Sequence, residues 1–172
     1  MGAEVNWLPF DLHPEYPPEG IPREQLLARY GGDAMVERIT RFFAERGLEY
    51  NPNPDVVPNS MNALRLTELA RDLGRHADLH DRLMDAYWAE AKNIGDLAVL
   101  REEAATVGLP ADEVEDVLAG ERYRDRVEES TREAHGLGAN AVPAFVLDRR
   151  LLVLGAQPDE VFDRAFAQLE RA

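Results

Sequence analysis

Between Arg23 and Leu137 the chain repeats one pattern: apolar residues at helical spacing, closed off by glycine, proline or a capping side chain. Strand-like alternation is absent from that stretch. The spacing predicts a helix over 23–30. A second helix is capped by Asp33, with Met35, Ile39 and Phe42 on one face and Gly47 as its stop. The run 51–58, NPNPDVVP, reads as a loop because proline cannot continue a helix. Ser60 caps a further helix, with Met61, Leu64, Leu69 and Leu73 inward and Gly74 at its end. Helices over 77–91, 97–107 (capped by Asp96), 110–119 and 121–135 complete the block. The first of these turns Leu79, Leu83, Tyr87 and Ala91 inward, and the last sets Tyr123, Val127, Ser130 and Ala134 on one side.

Outside the block the pattern changes. Residues 3–8 carry Val5, Trp7 and Leu8 and read as a short strand limited by Pro9. Residues 9–22 hold Pro9, Pro14, Pro17, Pro18 and Pro22 and read as a stiff extended loop. At the other end, 143–147 and 151–154 are apolar runs separated by Asp148-Arg149-Arg150, the signature of a buried β-hairpin. Its turn lacks glycine, so Asp148 is the residue expected at positive φ. Pro158 opens a last helix, with Val161, Phe162, Ala165 and Leu169 inward. The order is strand, helical block, hairpin, helix.

The 172 residues are 45% hydrophobic and 8% aromatic, enough for a true core. Acidic residues number 33 against 19 basic, a net charge of −14 that repels phosphate backbones and anionic lipid. The expectation is therefore no nucleic acid and no membrane among the partners. Apolar runs fall well short of the ~18–20 residues of a membrane span. The N-terminus lacks a signal-peptide pattern, so the expected location is cytoplasmic. Cysteine is absent, which excludes disulfides, thiolate nucleophiles and Cys-ligated metals from this chain.

Few residues carry chemistry. His76 and His80 are four apart, but no third ligand follows at helical spacing, so the pair reads as a solvated helix face and no metal is expected. His13, in the proline loop, is either a site residue or a solvent-facing one. His135 sits where a cation answers a helix dipole. The carboxylate pairs Glu102-Glu103 and Asp112-Glu113 fall on helix starts and polar faces. Neither serine, Ser60 or Ser130, lies in a nucleophile elbow. Gly31-Gly32 and Gly136-Leu-Gly138 lack the strand-to-helix context of a phosphate loop.

The informative run is Gly138-Ala-Asn-Ala-Val-Pro143-Ala-Phe-Val, later followed by Gly155-Ala-Gln-Pro158: small residues before a proline that opens a buried strand. With Trp7-Leu-Pro-Phe-Asp-Leu-His-Pro14, Asn59-Ser-Met-Asn-Ala-Leu-Arg65 and Asn93-Ile-Gly-Asp96, it makes an ordered set spanning nearly the whole chain. This set resembles the DsbA family of thioredoxin-like proteins, in its FrnE-like, 2-hydroxychromene-2-carboxylate isomerase-like branch. The resemblance implies an α/β, thioredoxin-like fold made of residues 1–22 and 138–172 with an all-helical insertion, 23–137, and a cis bond at Val142-Pro143. It implies a disulfide oxidoreductase or a glutathione-dependent isomerase, with glutathione as a cosubstrate rather than a bound cofactor. It also implies a small thiol or extended peptide held by Val142, Pro143, Asn59, Asn62, His13 and Gln157. For Asn59 and Asn62 helix capping is the alternative role, and Gln157 is also placed to cap the last helix.

The family motif Cys-Pro-x-Cys, or the serine of glutathione-dependent relatives, has no counterpart here. The sequence reads as if it starts at the family's second strand, so no catalytic residue carries over. The chain alone is expected to be inactive in thiol–disulfide exchange, which leaves a non-catalytic thiol- or peptide-binding module as a third reading. A missing central strand would leave 3–8 and 143–147 as unpaired edges, with detachment of 3–8 and a homodimer expected to follow.

Overall fold

The computed structural model describes residues 4–51 and 54–171. Among these are eight helices and four short strands: β1 (Ile21–Pro22), α1 (Arg23–Tyr30), α2 (Asp33–Ala44), β2 (Val56–Val57), α3 (Met61–Asp72), α4 (His76–Trp88), α5 (Leu97–Thr106), α6 (Ala111–Ala119), α7 (Arg124–Gly136), β3 (Ala144–Leu147), β4 (Leu151–Leu154) and α8 (Asp159–Glu170). The chain divides into two compact units, one of residues 1–12 with 128–172 and one of residues 13–127.

The larger unit is built around α3. This helix is buried nearly all round, as a helix flanked by packed neighbours on several sides must be. It packs against α4 and α6, and α5 bridges those two. Ala63, Leu66, Leu69 and Ala70 of α3 meet Leu79 and Leu83 of α4, Leu100 of α5 and Val117 of α6 in one cluster. Each fully buried leucine is worth about 1.5–3 kcal/mol over its exposed state. Leu73, expected inward, is exposed because α3 has already ended. Ala91 likewise lies beyond α4, at φ 56°. Asp96 caps α5 as read, its carboxylate accepting from Ala98 N at 2.7 Å.

Two expected caps are corrected. Ser60 makes no side-chain cap to α3; Asn59, one position earlier, accepts from Met61 N at 3.0 Å instead. Asp33 is the first residue of α2 rather than its cap, which is Gly32. The two proline loops are also more ordered than predicted. Ile21 and Pro22 pair antiparallel with Val57 and Val56. Arg23 N donates to Asp55 O at 2.7 Å, and its side chain reaches Pro54 O at 2.5 Å. Gly20 makes this ladder possible: its φ is +78°, and a Cβ there would lie 2.3 Å from Val57 O.

In the smaller unit the predicted strand at 3–8 is overturned. Residues 4–8 take no strand assignment and no ladder joins them to β3; Ala3 lies outside the described residues. Strand propensity alone cannot form a strand without a neighbouring backbone to pair with. Residues 9–11 are tied to α7 instead. Ser130 Oγ donates to Pro9 O at 2.7 Å and Asp11 N donates to Thr131 Oγ1 at 2.9 Å. The ring of Phe10 meets His135 edge to face at 5.1 Å. The hairpin forms over the predicted residues but is not buried as expected: Ala144 and Val146 are exposed, and in its two strands Val153 alone is buried, because among the described residues no strand covers the outer edge of β3. Asp148 adopts positive φ (50°), and so does Arg149 (55°). Phe162 of α8 packs edge to face on Phe145 with centroids 4.9 Å apart.

Candidate functional site

The loop after α7 turns at Gly138 (φ +92°) and reaches β3 through a cis Val142–Pro143 bond. Register then decides what β3 can offer. Leu147 pairs with Leu151, Phe145 with Val153 and Ala144 with Leu154. Gly155 N donates to Pro143 O at 2.7 Å, so position 143 faces β4 as a hydrogen-bonded pair. Antiparallel pairs alternate, which makes Phe145 and Leu147 the other positions bonded to β4. Ala144 and Val146 therefore direct their N–H and C=O groups to the opposite edge. Among the described residues no strand pairs with that edge, since β3 and β4 form a two-stranded sheet.

The side chains on this edge are small and apolar. Val142, Ala144 and Val146 are exposed, whereas Phe145 and Leu147 are half-buried on the face that meets α8. Gln157, at the far end of β4, does not cap α8. Its amide donates to Leu154 O at 2.7 Å and fixes the turn that leaves the sheet. The Gly138 position is also packed: a Cβ there would sit 3.6 Å from Leu152.

The other residues expected at the site lie in the larger unit and form two local assemblies. His13 stacks on Tyr16 with centroids 4.3 Å apart and planes within 4°, and its Nδ1 lies 3.1 Å from Glu15 Oε1. The carboxyl of Glu15 is held below its usual range by its own backbone N–H and then by His13. Burial raises the Tyr16 phenol. Asn59 joins this group by donating to Tyr16 O at 2.8 Å, while its carbonyl holds the start of α3. Both ends of the Asn59 amide thus serve structure. Asn62 belongs to the second assembly, where its Oδ1 accepts from Arg65 at 2.8 Å.

Sequence reasoning quoted Arg65 only as the end of a motif and gave it no role. It is 1% exposed, and it donates to the carbonyls of Val117, Gly120 and Arg122 as well as to Asn62. A lone arginine among the apolar positions of α3 was the available signal. Glu103 is equally buried, between Arg82 and Lys92, which hold it ionised below its usual range against the opposing effect of burial. His76 and His80 stack at 5.9 Å, and among the described residues no three His, Asp or Glu side chains converge as a metal site. No described helix is long and apolar enough to cross a membrane.

Comparison with known proteins covers nearly the whole chain. The family model of the DSBA-like thioredoxin domain matches residues 1–167. An uncharacterized Bacillus subtilis protein, YwbO, is 26% identical over 98% of this chain and 84% of its own. The crystal structure of a probable DsbA oxidoreductase from Streptomyces coelicolor superimposes with a TM-score of 0.83 at 36% identity, covering 92% of this chain and 72% of that one. The cytosolic disulfide reductase DsbM of Pseudomonas aeruginosa, solved with GSH, gives a TM-score of 0.58 at 26% identity over 77% of this chain and 72% of its own.

Proposed function

The chain belongs to the DSBA-like thioredoxin domain family, and from that premise we propose that it binds an extended peptide or small thiol along the open edge of β3. The observation that carries this reading is the pair of outward-facing peptide groups at Ala144 and Val146, with Val142 exposed at the start of the same edge. Backbone donors and acceptors of this kind bind an added strand without regard to most of its side chains. Glutathione, a peptide thiol, carries backbone groups of the kind such donors and acceptors pair with. The DsbM structure with GSH supports a small thiol as ligand class.

The chemistry of the family needs a thiolate, and this sequence supplies none. The residues here therefore hold and align a ligand rather than attack it. Phe145 and Leu147 anchor β3 against α8 while Ala144 and Val146 pair with the ligand backbone. The finer placement in the FrnE-like branch rests on the motifs from Trp7 to Pro14 and from Asn59 to Arg65. A cytoplasmic setting has the cytosolic DsbM in its support. Amide chemical shifts during titration with glutathione and with an extended apolar peptide test the proposal. Shifts at Val142, Ala144 and Val146 are expected. Saturating ligand without a response at the three β3 positions refutes it.

A further inference from the structure

The corner between α3 and α4 carries a run of polar contacts that the proposed ligand edge does not use. His76 is the first residue of α4, a helix that begins without a side-chain cap. Its ring and that of His80, one turn on, are half-buried and stack with centroids 5.9 Å apart. His76 Nε2 lies 2.9 Å from Arg71 Nη2. A guanidinium only donates, so Nε2 accepts and the ring is neutral, with its proton on Nδ1. Arg71 Nε also donates to Glu68 Oε1 at 3.1 Å, and Arg126 of α7 donates to Glu68 Oε2 at 3.3 Å. Glu68 is buried, so α3, α4 and α7 meet in one network centred on its carboxylate.

We propose that His76 is a proton-operated latch on this corner: neutral, it accepts from Arg71 and ties the first turn of α4 to α3; protonated, it releases Arg71 and that turn comes free. Protonation makes Nε2 a donor, so two donors then face each other. It also sets a cation beside a guanidinium and at a helix N-terminus, where the dipole already presents positive charge. The charges facing the ring are Arg71 and Glu68 from α3, with His80 and Asp81 on α4 itself. Of the other acids on α3, α4 and α5, Asp72 is held by Arg126, Asp78 by Arg75, and Glu103 by Arg82 and Lys92. Burial and then the Arg71 charge keep the His76 imidazole below its usual 6.5, and burial does the same to His80. A folded value below the unfolded one gives stability that is present above 6.5 and lost as pH falls beneath it. Ordinary carboxylates titrate nearer about 4, so the latch opens before they do. Glu68 keeps both Arg71 and Arg126 when His76 lets go, which confines the release to the first turn of α4.

Histidine ring nitrogen shifts and amide exchange, followed by NMR from about pH 7.5 to about pH 5, test the latch on the native chain, His76→Gln and His80→Gln. The native His76 should show the Nδ1-protonated tautomer and a midpoint below 6.5. Amide protection in the first turn of α4, corrected for the intrinsic pH dependence of exchange, should fall about tenfold on acidification, the loss of one hydrogen bond to a charged group. Protection at Leu83 and Ala86, in the buried part of the helix, should hold. His76→Gln keeps an acceptor for Arg71 that does not titrate, so its first turn should stay protected, whereas His80→Gln should still lose protection. Tautomer and midpoint are read on the native chain and decide the matter should a variant fail to fold. An Nε2-protonated tautomer at neutral pH, a midpoint at or above 6.5, first-turn protection that ignores pH, or an acid loss that persists in His76→Gln overturns the proposal.

Discussion

Arg65 is the strongest single point of control in the larger unit, and its truncation to alanine gives a worked test. The guanidinium is buried, and burial pulls its pKa below the usual arginine value against the opposing charge of Glu121. It is held by backbone carbonyls that α6 and its exit turn leave unpaired, so it closes a helix C-terminus from inside the protein. Val117 is fully buried, and its stranded carbonyl costs about 2 kcal/mol once the arginine is gone. Gly120 and Arg122 lie at the surface, so water recovers part of their bonds and each loses about 0.5 kcal/mol. The vacated stem adds about 1 kcal/mol, and removal of a desolvated charge returns part of that. The net for Arg65→Ala is about 3 kcal/mol, a large fraction of a typical ~5–15 kcal/mol domain stability. Arg65→Met refills the stem and should cost about 2 kcal/mol; Arg65→Lys keeps one donor head and should cost less. Urea unfolding followed by far-ultraviolet circular dichroism at neutral pH reads all three. An Arg65→Met protein as stable as the native chain would refute the reasoning, because it would show that the carbonyl bonds contribute nothing.

Three further outcomes are expected. Purified chain of verified mass should neither reduce insulin nor catalyse oxidative refolding, since no thiolate is available; turnover above buffer would contradict this. Arg82 and Lys92 hold the Glu90 carboxyl down at about 2, against 4.5 unperturbed. A depressed carboxyl stabilises the fold above its unfolded value, and that contribution fades as pH falls from about 4.5 toward 2. Urea midpoints should therefore decline across that window, and less steeply in Glu90→Gln. Gly20→Ala should cost at least about 2 kcal/mol, because φ is +78° and the added Cβ meets the Val57 carbonyl; unchanged thermal stability would dismiss the steric argument.

The helices were legible because their signal is local. In α3, α4 and α8 the apolar spacing and the glycine or proline ends lie within a dozen residues, and a side chain such as Asp96 reads as a cap where it stands. The β1–β2 ladder was illegible for the opposite reason. Ile21 finds Val57 across a stretch with two helices between, and two residues per strand leave no alternation to read. The same limit explains residues 4–8, whose composition favours a strand but which pair with no strand among the described residues. The ties of Ser130 to Pro9 and of Thr131 to Asp11 are likewise tertiary choices made by side chains that, on α7, look like part of a polar face.

At the candidate site the loop was legible from the order of its motifs, but the direction of its hydrogen bonds was not. Only the register against β4 reveals that Ala144 and Val146, rather than Phe145 and Leu147, face outward. Exposed edges are ordinarily blunted by charge, and the outward positions of β3 carry none. A ligand strand that pairs with Ala144 and Val146 meets no charged side chain there, so Val146→Lys should weaken peptide binding without unfolding the hairpin, whose register against β4 lies on the other side. A Val146→Lys protein that binds peptide as tightly as the native chain would place the ligand on a different surface.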